Sequence, residues 1–226
     1  MAEEQFNPFY SEEVSPPHSA HWEARRRVGS AIRQLMEVLV TSTPPTDELH
    51  DIARRLEQTA DAFGHAPRIY GRHAFARQGE HGQMAELVHE LNPLSGLSNP
   101  LAPPLNTWID GDRVHGKVTL GWAYEGPPGC VHGGFVAAVF DEFMGIAQVL
   151  GGQPGMTGTL AVRYERPTPL NVELRLEARL VETEGRKTRV EATMRAGGEV
   201  TARCEALFVR PRRPLTELSA TGSSSS

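Results

Sequence analysis

The sequence predicts an α+β fold in which an antiparallel sheet is covered by one long apolar helix, and three observations carry that expectation. First, Leu170, Val172, Leu174, Leu176, Ala178 and Leu180 alternate with Glu173, Arg175, Glu177 and Arg179, a period of two that buries one face of a strand. Second, after a turn at Glu184-Gly185 the pattern returns in Thr188, Val190, Ala192 and Met194. After Gly197-Gly198 it returns once more in Val200, Ala202, Cys204, Ala206 and Phe208, which makes a meander. Third, His132 to about Leu150 reads as one apolar helix ended by Gly151-Gly152, and no other strongly apolar helix in this half is available to cover the sheet.

The remaining elements follow in chain order. Residues 1–18, with Pro8, Pro16 and Pro17 among polar residues, read as a flexible tail, as does the serine-rich segment 213–226. From about Ser19 to Val40, Val28, Ile32, Leu35, Met36 and Leu39 recur at helical spacing, with Arg25, Arg26, Arg33 and Glu37 on other faces. Pro44-Pro45 breaks this helix, and Thr46, Asp47 and Glu48 start a second one whose stripe is Leu49, Ile52, Leu56, Ala60 and Phe63. From His65 to Pro104 the apolar period is lost and glycines and prolines punctuate the chain, so the expectation is a long covering loop with one short helix around Gln83 to Leu91. Such a length suggests a lid or substrate rim. Residues 19–104 therefore form a helical extension with its covering loop, and 105–212 form the sheet domain. That domain opens with a hairpin, Leu105 to Ile109 and Arg113 to Trp122, turned at Asp110-Gly111-Asp112, with Val114, Val118 and Leu120 on one face. Glu125 to Gly129 is the loop that enters the long helix.

Composition narrows the function classes. Lys and Arg number 23 against 28 for Asp and Glu, a net charge of -5, so no global basic field draws nucleic acid or an anionic membrane. The two cysteines, Cys130 and Cys204, have no metal-ligand spacing and are too few for a disulfide framework, which favours a reducing compartment. The apolar run from Phe135 is interrupted by Asp141-Glu142 and by glycines and falls short of the ~20 residues a membrane span needs. The acidic N-terminal stretch, with Glu3, Glu4, Glu12 and Glu13, opposes a transit peptide, so the expected address is cytoplasmic. His65, His73, His81 and His89 recur every eight residues without paired carboxylates or cysteines, and no metal site is expected.

Two features carry chemistry. Gly133 and Gly134 stand at the first turn of the long helix, where each costs about 1 kcal/mol of helical stability relative to alanine. In return, a ligand can approach the free amide hydrogens at the positive end of the helix dipole, which suits a developing oxyanion. The alternative for His132-Gly133-Gly134 is a tight turn into a buried helix with a capping histidine. Asp141 lies on a stripe of small residues, Ala137, Ala138 and Gly145, with room beside it, and a carboxylate there is costly unless used or paired. Glu142 points about 100° away and is expected to reach solvent, so Asp141 is the better candidate. Nine helical residues separate His132 from Asp141 by about 13.5 Å and about 180° around the axis. If both act on one substrate, they come from two subunits related by a two-fold axis, which predicts a homodimer or a dimer of dimers.

The ordered series Gly126-Pro127-Pro128-Gly129, His132-Gly133-Gly134, Asp141, Met156-Thr157, Tyr164-Glu165-Arg166-Pro167, Pro169-Leu170 and Glu184-Gly185-Arg186-Lys187 resembles the PaaI-like hotdog thioesterases, with the THEM-type acyl-CoA thioesterases nearest. The resemblance covers about Leu105 to Arg210 and implies the hotdog fold, an antiparallel sheet wrapped around a central helix. It implies that Asp141 is the nucleophile or the base that orients water, that His132 lies near the thioester carbonyl or leaving sulfur, and that the Gly133 amide binds the oxyanion. A hydroxyl on the following strand is implied at Thr157, with Thr159 as the fallback. Some relatives carry an asparagine six residues before the histidine, where this chain has Gly126.

These expectations combine into hydrolysis of acyl thioesters, acyl-CoA to free acid and CoA, by water that Asp141 directs and Thr157 positions. A covalent anhydride through Asp141 is the other route. Substrate contacts are expected from Gly134 and, for CoA phosphates, from Arg163, Arg166, Arg186 and Lys187, which otherwise serve as solvated strand ends. The substrate is an acyl-CoA or acyl-carrier-protein thioester, and no cofactor is expected. The competing functions are a hotdog dehydratase or hydratase and a non-catalytic acyl-CoA or acyl-carrier-protein binding module.

Overall fold

The computed structural model describes residue 17 and residues 19–78 and 84–212. The expected tails at 1–18 and 213–226 therefore lie, but for Pro17, outside the described residues, as does His81. The described residues divide into two compact units, residues 17–101 and residues 102–212.

Among the described residues the first unit holds four helices, α1 (Ala20–Thr41), α2 (Thr46–Gly64), α3 (Arg72–Gln78) and α4 (Met84–Leu91). The Ser19 side chain caps α1 by accepting from the Trp22 amide at 3.4 Å, and Asp47 and Glu48 favour the start of α2 through the helix dipole. The lost period between residues 65 and 104 hid α3, whose seven residues are too short to repeat an apolar stripe. The unit is held by a buried polar node. Glu90, fully buried, accepts from Arg26 at 2.6 Å and 2.9 Å and from Ser98 at 2.5 Å. Arg33 donates to the Leu97 and Asn99 carbonyls. Gly29 lets α1 lie on the backbone at Ser98, since a Cβ there would stand 3.0 Å from its carbonyl oxygen. No residue of α2 is buried, and Leu49, Leu56 and Phe63 are exposed.

The second unit is an antiparallel sheet of six strands in the order β1-β2-β4-β5-β6-β3. The strands are β1 (Asn106–Asp110), β2 (Arg113–Thr119), β3 (Met156–Tyr164), β4 (Glu173–Glu184), β5 (Lys187–Ala196) and β6 (Glu199–Val209). One helix, α5 (Gly133–Ala147), lies against β2 to β6. Val136, Val139, Phe140, Phe143 and Met144 form its buried face, received by Leu174, Leu176, Val190, Met194 and Phe208 of the strands. Gly116 makes room for the Phe143 ring, which a Cβ would meet at 2.9 Å. The predicted α+β architecture, a helix wrapped by an antiparallel meander, is the one observed.

The boundaries differ from expectation in several places. β2 ends at Thr119, and Trp122–Tyr124 forms a 3-10 turn. Leu170 and Leu174 are buried as the alternation requires, but Val172 between them is exposed, next to Asn171, whose φ of 58° breaks the extended run. α5 stops at Ala147 and tightens into a 3-10 turn, Gln148–Gly151, before Gly152 adopts a left-handed φ of 68°. Together Gly133–Gly151 are long and apolar enough, by length and composition, to cross a membrane, which corrects the expectation that no run here reaches that length. In this fold one side of that helix is buried on the sheet. The strand that alternation did not reveal is β3. It pairs only with β6, occupies a sheet edge, and is largely exposed on both faces, so burial left no pattern in its residues.

Candidate active site

The exposed flank of α5 and the inner face of β3 run side by side. At one end Asp141 accepts a hydrogen bond from the Thr157 hydroxyl, Oγ1 to Oδ1, at 2.7 Å. This contact depends on local devices at the helix exit. The buried Gln148 amide grips Gly155 at both backbone groups, donating to its carbonyl at 2.8 Å and accepting from its N–H at 2.9 Å. Gly155 itself lies flush on β6, where a Cβ would come within 2.7 Å of the Val209 carbonyl carbon. A register shift between Thr157 and Thr159 then sets the two hydroxyls on opposite faces, Thr157 opposite the buried Phe208 and Thr159 opposite Leu207. Thr159 thus does not join Asp141. Asp141 is exposed in the single chain, whereas Glu142 is half-buried, the reverse of the solvent preference expected for the pair. The sheet and β3 leave the Asp141 side of the helix open.

At the other end, His132 is the N-cap of α5, and its Nδ1 accepts from the Gly134 N–H at 3.0 Å. An N–H donor requires an unprotonated Nδ1, so the neutral ring carries its proton on Nε2. The capping role and a chemical role therefore use different nitrogens. The Gly133 N–H, at the first helical position, has no acceptor within the helix. His132 is held by its own backbone, whose N–H donates to the Tyr124 carbonyl at 2.9 Å, and by the Phe135 ring at 6.4 Å. The loop before it is closed by Gly126 N–H to the Cys130 carbonyl at 2.9 Å and by Gly129 N–H to Glu125 Oε1 at 2.7 Å. A Cβ at Gly126 would stand 2.6 Å from His132 Cα, so this backbone leaves no space for the asparagine some relatives carry there.

One further residue meets this end. The Tyr164 hydroxyl donates to the Gly133 carbonyl at 2.8 Å. Tyr164 appeared in the sequence only as one member of a motif, because a strand residue gives no sign of which helix end it reaches. Thr157 and Tyr164 thus mark opposite ends of β3, beside Asp141 and Gly133 respectively. The structure brings Asp141 to Thr157 and His132 to Gly134, and it keeps these two groups apart along one helix.

The four proposed phosphate contacts divide in the same way. Arg163 and Arg166 lie at the Tyr164 end, and Arg166 is engaged with the Val200 carbonyl and Glu199. Arg186 and Lys187 lie at the β4–β5 turn, where Lys187 pairs in register with Val209, itself the partner of Met156. Arg186 donates to the Arg210 carbonyl at 2.7 Å. Behind Asp141 on β6, the buried Cys204 thiol is pushed up to about 12, first by desolvation and then by the Asp141 charge. Among the described residues no three His, Cys, Asp or Glu side chains gather as a metal ion would require.

Comparison with known proteins bears on this arrangement. The family model of the thioesterase superfamily matches residues 128–203, a span that contains both ends of α5 and all of β3. A crystal structure of a thioesterase superfamily protein is 35% identical, superposes with a TM-score of 0.71, and covers 86% of this chain and 97% of that one. The acyl-coenzyme A thioesterase THEM4 of Mus musculus is 36% identical over 96 residues, 41% of this chain, and that of Xenopus laevis is 33% identical over 88 residues, 38% of this chain. The matched segments span 41% and 40% of the length of those curated relatives.

Proposed function

The chain belongs to the thioesterase superfamily, and from that premise we propose that it hydrolyses acyl-CoA thioesters to the free acid and CoA. The observation that carries the reading is the Thr157–Asp141 hydrogen bond on the open flank of α5. A carboxylate oriented by a hydroxyl donor there can take the proton of an attacking water, with its second oxygen free for that purpose. The new C–O bond forms as the carbonyl oxygen gains charge, and the Gly133 N–H at the helix start meets that charge. The C–S bond then breaks and the thiolate leaves, with the His132 Nε2–H directed at the carbonyl or departing sulfur.

Because Asp141 and His132 stand about 13.5 Å apart along one helix, we propose that each site takes one half from each of two subunits in a PaaI-like homodimer. The exposed edge of β3 favours pairing there, since it offers an unpaired row of backbone groups between the two half-sites. A two-fold operation reversing β3 would also bring Arg163 and Arg166 of one chain toward Arg186 and Lys187 of the other, where CoA phosphates would bind. Two cysteines that remain free thiols fit a cytoplasmic setting, which cell fractionation would check.

Thiol release from a panel of acyl-CoAs tests the reading. Asp141→Asn should lower release at least about a hundredfold while acyl-CoA binding and the dimer persist, as expected for loss of a base. Release equal to wild type would remove Asp141 from the mechanism. Mixing His132→Ala with Asp141→Asn subunits should restore activity in heterodimers. Proven heterodimers without recovered activity would contradict the shared site.

A further inference from the structure

We propose that Tyr164 is a positioning residue that acts through the Gly133–Gly134 peptide on His132, an inference that rests on the thioesterase reading above. The Gly133 carbonyl and the Gly134 N–H belong to one planar peptide unit. Tyr164 donates to that carbonyl at 2.8 Å, and that N–H donates to His132 Nδ1 at 3.0 Å. A single rigid unit is therefore gripped at both ends.

The glycines permit the grip. A Cβ at Gly133 would lie 3.3 Å from the Tyr164 oxygen, and one at Gly134 would lie 3.1 Å from His132 Nδ1. Both contacts are closer than side-chain carbons ordinarily tolerate, so the two helix-weakening residues have a structural use here. Burial does not force the bond either: Tyr164 is 53% exposed, and water could satisfy its hydroxyl. Donation to the carbonyl polarises the peptide and strengthens its N–H as a donor. The result is an Nδ1 held as acceptor, a proton held on Nε2, and a ring held in one orientation. The Gly133 N–H belongs to the preceding peptide and stays available to substrate.

Tyr164→Phe keeps the ring and removes only the hydroxyl. In the full-length dimer, kcat should fall about fivefold to thirtyfold with KM changed less than about twofold, the loss of one or two hydrogen-bond equivalents. Nitrogen NMR of the imidazoles, with His132 identified by the signals that vanish in His132→Ala, should show an Nε2–H ring in wild type and a shift toward mixed tautomers in Tyr164→Phe. In a His132→Ala background, adding Tyr164→Phe should change residual kcat less than about twofold, because neighbours that act as a unit are not additive. A wild-type His132 ring protonated on Nδ1 would overturn the proposal. So would unchanged tautomer signals in Tyr164→Phe, or an equal loss of kcat with and without His132. The NMR readout needs no turnover, whereas failure of the thioesterase reading itself would appear as no thiol release by the wild type from any acyl-CoA of the panel.

Discussion

The Thr157 hydroxyl donates to Asp141 Oδ1 at 2.7 Å across sixteen residues of sequence, joining the sheet edge to the middle of the covering helix. The bond fixes which carboxylate oxygen remains open to substrate. It also depends on the Gln148–Gly155 clamp and on the bulge beside Gly158, neither of which touches Asp141.

Thr157→Val therefore removes a hydrogen bond to a charged group while nearly preserving shape. The expected loss is about 1.5–3 kcal/mol of transition-state stabilisation, or about tenfold to a hundredfold in kcat. Thr157→Ser keeps the donor and should stay within about threefold of wild type. Steady-state acyl-CoA hydrolysis reads both, and equal losses in the two variants would indicate packing rather than the hydroxyl.

Gly126→Ala drives a methyl group into the His132 backbone, where the present separation would be 2.6 Å. The His132 turn must shift, so unfolding in urea should show a loss of about 1–3 kcal/mol. Thioester hydrolysis should fall with it, because the displaced residue carries the proposed donor. Wild-type stability and rate together would show that the loop relaxes freely.

Arg26→Ala leaves the Glu90 carboxylate fully buried, with the Ser98 hydroxyl still donating to it. Removing one member of a buried pair typically costs about 3–5 kcal/mol, so residues 17–101 should lose hydrogen-exchange protection and become protease-sensitive. Arg26→Met combined with Glu90→Leu should recover part of that loss, since the buried carboxylate is gone, but not all of it, because the desolvated Arg25 then loses the favourable Glu90 charge. Full protection in Arg26→Ala would sink this account of the node.

Cys204 is held from an ordinary 9.0 up to about 12 by burial first and by the Asp141 charge second. The folded chain therefore binds this proton more tightly than the unfolded chain. That contribution to stability is complete below about pH 9 and is lost as pH rises toward 12. At pH 8, iodoacetamide should modify the half-exposed Cys130 ahead of Cys204, and Cys204 should react once the protein is unfolded. Intact-mass measurement with peptide mapping follows the order of labelling. Protection of Cys204 should persist in Asp141→Asn, because burial is the larger cause.

The meander β4–β5–β6 was legible because each strand buries one face, so alternation is written into Leu174, Leu176 and Ala178, into Val190, Ala192 and Met194, and into Ala202, Cys204, Ala206 and Phe208. The same reasoning failed for β3, whose edge position and two exposed faces impose no alternation, and for α3, which is too short to repeat a stripe. Glu142 was misjudged for a related reason. Helical spacing gives the angle between neighbours, but which side stays open depends on where the sheet ends.

Local spacing along the chain dictates the covering helix, the meander, the stretch from His132 to Asp141, and the separation that keeps those residues apart along one helix. Local rules suffice for these, since 3.6 residues per turn and a period of two act within a segment. Packing between distant segments sets the rest: Thr157 and not Thr159 meets Asp141, Tyr164 reaches Gly133, and Gly126 excludes a side chain. Each of those outcomes depends on a bulge, a clamp or a backbone approach between segments distant in sequence, and such contacts leave no periodic trace in the residues that make them.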